Sequence, residues 1–243
     1  MTKKAKKFEP DYSNAPATLT NHIFFGMQLD DEQRKFRDAI WDPDKLIVFC
    51  DAKAGSGKTQ IAVMTADLLC QYHRHDGIVY ITAPVQEGKI GFLPGTVQEK
   101  LEVYNEPFYQ AAEKANMDVQ HMCYNDIDNE KNGTAYVRCM SHNYLRGCNF
   151  ENKVVIIDEA QNFYMDELKK VLTRMHDNCK VIVIGHTGQI DLYHHPENSG
   201  FAPYIKHFED VEWAEICHLT KNYRGKISNH ADTLTYKNNQ EAA

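Results

Sequence analysis

The chain has 243 residues, of which 42% are hydrophobic and 25% charged. This composition is typical of an ordinary globular chain with room for one large domain, and it excludes a disordered tail or a small disulfide scaffold. The formal net charge of −7 has the wrong sign for a protein that coats nucleic acid by bulk charge, so a polyanion would need a local groove.

The cysteines and the apolar runs of the chain indicate in which cellular compartment we expect the protein. The seven cysteines include no close CxxC pair and several lie in apolar runs, which predicts reduced thiols and a cytoplasmic location. No apolar run approaches the roughly 20 residues that a spanning helix needs, and the N-terminus lacks an apolar signal core, so we expect no membrane partner. We expect an N-terminal arm at 1–28 and one domain at 29–243.

Short apolar runs rich in β-formers alternate with helical stretches along the chain. Four of the runs are bounded by polar residues, as expected for strands covered on both faces. The alternation predicts an α/β fold with a central, mainly parallel sheet. In chain order we predict a strand at 46–50, a helix from 58 to about 75, a strand at 78–82, a helix from 97 to about 116, strands at 134–140 and 153–157, a helix at 164–175, strands at 180–184 and 211–218, and a helix from 227 to about 239.

A glycine-rich loop follows the first predicted strand. The segment Ala52-Lys-Ala-Gly-Ser-Gly-Lys-Thr59 matches the phosphate-binding loop (P-loop), except that Ala52 replaces the first glycine. Small residues let backbone N–H groups surround a phosphate, and the following helix directs its N-terminal dipole at it. We expect Lys58 to reach the β- and γ-phosphates and Thr59 to ligate Mg²⁺. The alternative is an idle turn. The predicted nucleotide contacts are Ala54, Gly55, Ser56, Gly57, Lys58, Thr59 and Gln60.

Two carboxylates stand at the end of the strand predicted at 153–157. Asp158 is placed to join the Mg²⁺ shell, and Glu159 is placed to polarise an attacking water. Alone, a strand-ending aspartate could equally be a helix N-cap. Together with the P-loop, the pair predicts hydrolysis of a nucleoside triphosphate.

Four further polar residues are candidates with alternatives. Gln33 has the two amide groups that could pair with an adenine edge, or it is a solvated helical residue. Gln189 follows the fourth of the bounded strands, where it could contact a γ-phosphate or lie in a surface turn. Arg224 could stabilise developing phosphoryl charge or form a surface salt bridge. Arg146 precedes the strand of Asp158 and could contact nucleic acid or a neighbouring subunit.

Several motifs together resemble the PhoH-like family, the phosphate-starvation-inducible ATPases that are also common in bacteriophage genomes. The resemblance runs from about position 29 to 224, and its specific part is Gly91-Phe-Leu-Pro-Gly95, since a P-loop and an Asp-Glu pair occur in many helicase-like ATPases. The other matching elements are Ala54-Gly-Ser-Gly-Lys-Thr59, Glu99-Lys100 with Tyr104, Arg146-Gly147, Asp158-Glu-Ala-Gln-Asn162 and Gly185-x-x-x-Gln-Ile-Asp-Leu192.

The resemblance implies a RecA-like core similar to the first domain of superfamily 1 helicases, ATP with Mg²⁺, and action on RNA or single-stranded nucleic acid. It implies that Gln33 reads adenine, that Gln189 senses the γ-phosphate and that Arg224 is an arginine finger. The chain departs from the family pattern in three places: Ala52 replaces glycine, Ala83 stands where arginine is frequent, and His186 stands where aspartate is usual.

Two functions remain open: a nucleic-acid-stimulated, helicase-like ATPase motor, and a nucleotide-switched assembly or signalling ATPase. Only 51 residues precede Ala52, so we expect no PIN nuclease domain of the kind that some family members carry. A superfamily 1 helicase completes its ATP site with an arginine from a second RecA-like domain, and this chain has length for one. We therefore expect a homo-oligomer in which Arg224 or Arg146 acts on the neighbouring subunit, and the resemblance implies that it is a ring such as a hexamer. The alternative is that Arg224 acts on the nucleotide of its own chain.

Overall fold

A central six-stranded parallel sheet organises the computed structural model, which describes residues 8–20, 23–83, 97–124, 127–145, 147–192 and 196–231. A two-stranded antiparallel hairpin precedes the sheet. The hairpin strands are β1 (Ile23–Phe24) and β2 (Met27–Gln28), and those of the sheet are β3 (Ile47–Ala52), β4 (Ile78–Thr82), β5 (Val137–Ser141), β6 (Val154–Asp158), β7 (Lys180–Gly185) and β8 (Ala214–Leu219). The order across the sheet is β5-β4-β6-β7-β3-β8.

Helices separate the strands, so the predicted α/β fold with a parallel sheet is confirmed. The α-helices are α1 (Asp31–Trp41), α2 (Lys58–Gln71), α3 (Val97–Lys114), α4 (Ile127–Asn132), α5 (Met165–Leu172), α6 (Phe201–Phe208) and α7 (Lys226–Ala231). All six predicted strands are present with small shifts at their ends. The β1–β2 hairpin, α4 and α6 were not predicted, because each is too short for its hydrophobic period to repeat.

The predicted ends of three helices were too late. Helix α2 ends at Gln71 because His73 adopts a left-handed backbone with φ 55°, and α3 ends at Lys114 because Asn116 does so with φ 57°. Left-handed residues commonly terminate helices, since they let the chain turn back on the last carbonyl groups. Helix α5 covers 165–172 of the predicted 164–175. The predicted helix from 227 to about 239 begins at Lys226, and its part after Ala231 lies outside the described residues.

The sheet is buried on both faces, which explains the continuous apolar runs of its strands. Along β6, Val154 and Ile156 pack with helices α1, α2 and α3, whereas Val155 and Ile157 pack with α5 and α6. Alternate side chains of a strand point to opposite faces, so Asp158 continues the row of Ile156. The carboxylate therefore lies on the same side of the sheet as α2, the helix that follows the P-loop.

The strand order brings the predicted site together. Strand β7 lies between β3, which leads into the P-loop, and β6, which ends at Asp158. Because all six strands are parallel, their carboxyl ends share one edge of the sheet, where ligands of open α/β sheets bind. Within the described ranges no helix is both long and apolar enough to cross a membrane.

Residues before position 29 contact the domain. The indole Nε1 of Trp41 donates to the carbonyl of Pro16 at 2.9 Å, and the Arg37 guanidinium donates to the carbonyl of Leu19 at 2.6 Å. Phe24 of the hairpin is buried in the same core. Part of the predicted arm thus packs on α1, and the β1–β2 hairpin reaches the candidate site.

Candidate nucleotide-binding site

The P-loop curves round the N-terminus of α2. Gly55 and Gly57 have φ values of 75° and 86°, a left-handed conformation that side chains other than glycine rarely adopt. Gly57 is the N-cap of α2, so the unpaired N–H groups of the first helical turn face the loop. This geometry provides the backbone donors and the positive helix end that bind phosphate.

A cavity of about 530 Å³ lies in front of this loop. Its walls are the P-loop at 55–60, the β1–β2 hairpin, Gln33, helix α3 and residues 223–224, while Ala54 is not among the lining residues. The Ser56 hydroxyl is buried and has no hydrogen-bond partner among the residues that the structure describes. The volume lies within the usual range of small-molecule sites.

Thr59 and Asp158 form the candidate Mg²⁺ site. The Thr59 hydroxyl donates to Asp158 Oδ2 at 2.9 Å, Tyr80 donates to the same oxygen at 2.7 Å, and the Glu159 N–H donates to Asp158 Oδ1 at 2.8 Å. Burial raises the pKa of Asp158, and the negative charge of Glu159 raises it further. A nearby cation would favour the ionised carboxylate. Hydroxyl and carboxylate oxygens are ligands that Mg²⁺ accepts together with phosphate and water, so the pair fits this ion.

Glu159 occupies a strained position at the end of β6. Its backbone is left-handed, with φ 50° and ψ 43°, which costs about 1–3 kcal/mol for a non-glycine residue. Its Oε1 lies 3.8 Å from the Lys58 Nζ, and its Oε2 accepts from the Gln161 Nε2 at 2.6 Å. The carboxylate is thereby held beside the lysine that is predicted to contact the β- and γ-phosphates.

Gln161 is a site residue to which the sequence analysis assigned no role. Its side chain is 1% exposed, and its Oε1 accepts from the backbone N–H of His186 at 3.0 Å. The amide therefore joins Glu159 to the loop after β7. A Cβ atom added to Gly185 would lie 2.7 Å from Gln161 Oε1, which explains the glycine at that position. The Asp-Glu-Ala-Gln motif contains this residue, but the fold is needed to bring it beside β7.

The loop after β7 is also hydrogen-bonded to the P-loop strand. Thr187 donates to Asp51 through its N–H at 2.9 Å and through its hydroxyl at 2.7 Å. His186 Nδ1 accepts from the Gly188 N–H at 2.8 Å, a bond that an aspartate in this position would also accept. Gln189 is exposed and does not line the cavity, so its γ-phosphate role stays a prediction.

Arg224 lies on the P-loop of its own chain. A Cβ atom added to Gly55 would lie 2.8 Å from the Arg224 Cγ and would overlap with the Asn222 Oδ1. The Tyr223 N–H donates to the Gly55 carbonyl at 2.9 Å, and Arg224 lines the cavity. This position allows the guanidinium to act on a nucleotide bound by the same chain.

Gln33 connects α1 to the P-loop. Its N–H donates to the N-cap Asp30, its Oε1 accepts from the Asp30 N–H at 3.1 Å, and its Nε2 donates to the Ser56 carbonyl at 2.8 Å. The side chain is 7% exposed, so the alternative of a solvated glutamine is wrong. Each amide atom keeps one further hydrogen-bonding position, which an adenine edge would use.

Two predicted features lie outside the described residues: Arg146 and the segment Gly91-Phe-Leu-Pro-Gly95.

The parallel sheet, the P-loop and the Thr59–Asp158 contact define the chain as a P-loop NTPase with a RecA-like core. The family model described as PhoH-like protein matches residues 27–231. The chain belongs to the PhoH family, a P-loop NTPase family, as the resemblance of its motifs indicates.

Curated relatives agree with this assignment. The chain is 33% identical to a PhoH-like protein of Synechocystis sp. over 196 residues, which is 78% of this chain and 55% of the relative. It is 33% identical to the protein PhoH of Escherichia coli K12 over 183 residues, 73% of this chain and 49% of the relative. A PhoH-like protein of Bacillus subtilis is 33% identical over 162 residues, 66% of this chain and 48% of the relative. The chain thus spans about half the length of the relatives it matches.

Proposed function

We propose that the protein binds ATP with Mg²⁺ and hydrolyses it. The observation that carries the proposal is the contact between Thr59 and Asp158, which are 99 positions apart and 2.9 Å apart in space at the edge of the sheet. Lys58 and Glu159 are their chain neighbours and lie 3.8 Å from each other. A hydroxyl, two carboxylates and an ammonium group thus meet at the N-terminus of α2, beside a cavity large enough for a nucleotide.

Each residue has a separate task in this proposal. The P-loop N–H groups and Lys58 bind the phosphates, and Thr59 and Asp158 hold Mg²⁺, which supplies charge neutralisation at the phosphate oxygens when bound. Glu159 accepts a proton from the attacking water as the water oxygen bonds to the γ-phosphorus and the bond to ADP breaks. Arg224 stabilises charge on the transferred phosphoryl group from within the same chain.

We further propose that the ATPase acts on RNA or single-stranded nucleic acid as a helicase-like motor. This part is supported by membership of the PhoH family and by the similarity to superfamily 1 helicases that the resemblance of its motifs implies. With a net charge of −7, binding would depend on a few lysines and arginines in a groove, so affinity should fall steeply as salt rises. The alternative is an ATPase whose nucleotide state switches assembly or signalling without moving a strand.

The oligomer also belongs to the proposal. We propose a homo-oligomeric ring, such as a hexamer, in which Arg146 is the candidate intersubunit residue because Arg224 lies against its own P-loop. A cytoplasmic location is supported by the seven cysteines, all of which are free thiols.

The deciding experiment measures the steady-state ATPase rate of the full chain with and without single-stranded RNA, single-stranded DNA and duplex DNA, at two salt concentrations. The motor proposal predicts stimulation by a single strand that is lost at high salt. An ATPase that no nucleic acid stimulates, but whose mass in light scattering changes between ATP and ADP, would favour the alternative. Absence of ATP hydrolysis under all conditions would contradict the proposed activity itself.

A further inference from the structure

Tyr80 is buried in the middle of β4 and hydrogen-bonded to the candidate Mg²⁺ site. Its side chain is 1% exposed, and its hydroxyl donates to Asp158 Oδ2 at 2.7 Å. Strands β4 and β6 pair in parallel, with Thr82 opposite Asp158 and Tyr80 opposite Ile156. Tyr80 and Asp158 therefore lie on the same face of the sheet as diagonal neighbours, a separation that an aromatic side chain spans.

The ring of Tyr80 is fixed from its other side by α3. Tyr80 and Phe108 pack with ring centroids 5.0 Å apart, and Phe108 is fully buried. Helix α3 also lines the nucleotide cavity, and its Lys114 contacts Gln60 of α2 at 3.4 Å. A buried phenol keeps a polar partner for its hydroxyl. The packing of the ring and the direction of the hydroxyl thus fix the orientation of the Asp158 carboxylate.

The hydrogen bonds of Asp158 show what this orientation controls. Oδ2 accepts from Tyr80 and from the Thr59 hydroxyl, and Oδ1 accepts from the Glu159 N–H. A carboxylate oxygen has two acceptor positions, so Oδ1 retains one. Of the three donors, only Tyr80 is neither a backbone group nor a candidate ligand. Its hydroxyl can hold the carboxylate in place while Thr59 turns to a metal ion.

We propose that Tyr80 is a positioning residue for Mg²⁺, which orients Asp158 through its hydroxyl and connects the metal site to α3. The inference rests on the proposed binding of nucleotide and Mg²⁺. It adds a residue that supports Mg²⁺ binding without contacting the substrate. Hydrogen-bond partners behind metal ligands typically change metal affinity by about 10–100-fold when they are removed. A purely space-filling role for the ring predicts no such effect.

The test compares Tyr80→Phe with the wild type in the full chain. Binding of fluorescent ADP is measured in EDTA and then during titration with Mg²⁺, and thermal unfolding is recorded for each protein. We expect affinity in EDTA to change less than twofold and the apparent Mg²⁺ affinity to fall about 10-fold or more. The matched control is Tyr136→Phe, which removes a partly buried hydroxyl that donates to Asp67 Oδ1 at 2.8 Å. Tyr136 does not line the cavity in front of the P-loop. This control should bind Mg²⁺ as the wild type does.

The results separate the two proposals. Mg²⁺ affinity of Tyr80→Phe within twofold of the wild type, or an equal loss in EDTA and in Mg²⁺, would overturn the role of Tyr80 alone. A wild type that binds no nucleotide would overturn the proposed function as well. If Tyr80→Phe does not fold, Phe108→Leu keeps the hydroxyl but loosens the ring. Phe108→Leu should lower the apparent Mg²⁺ affinity by less than Tyr80→Phe would, with nucleotide affinity in EDTA unchanged. An unchanged Mg²⁺ affinity in Phe108→Leu would count against the inference.

Discussion

The aliphatic part of Arg224 packs on the backbone of Gly55, so the segment 220–224, which follows β8, covers the P-loop of its own chain. Two further bonds keep this segment in place. The Thr220 N–H donates to the Glu32 carboxylate at 2.7 Å, and the Lys221 Nζ lies 3.4 Å from Asp30 Oδ2. Since both acidic residues stand at the start of α1, the sequence after β8 is held between α1 and the P-loop.

The position of Arg224 predicts action within one chain. Arg224→Ala should lower kcat about 100-fold or more, because a donor to transition-state charge is lost. Mixing Arg224→Ala subunits with Lys58→Ala subunits should then recover no ATPase activity, since neither chain carries a complete site. The measurement is the ATPase rate of the mixture against each variant alone. Recovered activity would show that Arg224 acts on a neighbouring subunit.

Lys58 and Glu159 should fail in different ways. Lys58→Ala should weaken ATP binding and abolish hydrolysis, because the proposed contact of the lysine with the phosphates already exists in the ground state. Glu159→Gln should bind ATP as the wild type does but lower kcat by about 10²–10⁴-fold, because the amide cannot accept the proton of water. Equilibrium binding and single-turnover hydrolysis distinguish the two. Wild-type turnover in Glu159→Gln would remove it as the base.

Gly55 should tolerate no side chain, for two separable reasons. Gly55→Ala places a Cβ against Asn222 and Arg224 in a left-handed backbone of φ 75°. Gly133→Ala is the matched control, because its φ is 72° but nothing lies within 4 Å of the added Cβ. Both should lose about 1 kcal/mol or more of unfolding free energy from the backbone alone. Only Gly55→Ala should also lose ATP affinity and turnover. Equal ATPase rates in the two variants would show that the packing of Asn222 and Arg224 on Gly55 does not matter for the site.

His75 should make stability depend on pH. Burial lowers its pKa to about 3, with further lowering from the positive charges of Lys180 and Arg74. In the unfolded chain histidine titrates near 6.5. Below about pH 6.5 the unfolded state therefore binds a proton at this histidine that the folded state does not bind. The free energy of unfolding then falls by up to about 1.4 kcal/mol for each pH unit of acidification.

Denaturant unfolding at pH 7.0, 6.0 and 5.0 checks this expectation. His75→Gln should have a shallower loss of stability with acid than the wild type, because it lacks the titrating group. His218→Gln, which removes an exposed imidazole, is the control for the substitution itself. A wild-type slope retained by His75→Gln would show that other groups cause the acid sensitivity.

The chemistry of the site was predictable because its main residues adjoin strand ends. A P-loop after one apolar run and Asp158-Glu159 after another require only that the strands be parallel for the two to meet. The partners of these residues were not predictable. Tyr80 lies in an apolar run that predicts only a buried strand, and Gln161 lies in a motif that assigns it no role of its own. The hydrogen bonds of both residues depend on which strands are neighbours in the sheet. The same holds for Arg224, whose contact with Gly55 requires β8 to lie beside β3.

Strand β7 lies between β3, which leads into the P-loop, and β6, which ends at Asp158, and the loop after β7 is hydrogen-bonded to β3 and to the turn after β6. Thr187 holds Asp51 of the P-loop strand, and His186 is held by Gln161, which also holds Glu159. The loop is thus only two hydrogen bonds away from the Glu159 carboxylate, for which we propose the activation of water. In the proposed ATPase, these bonds would pass a displacement of either strand end to the loop that begins at His186, so this loop couples the two sides of the candidate site mechanically.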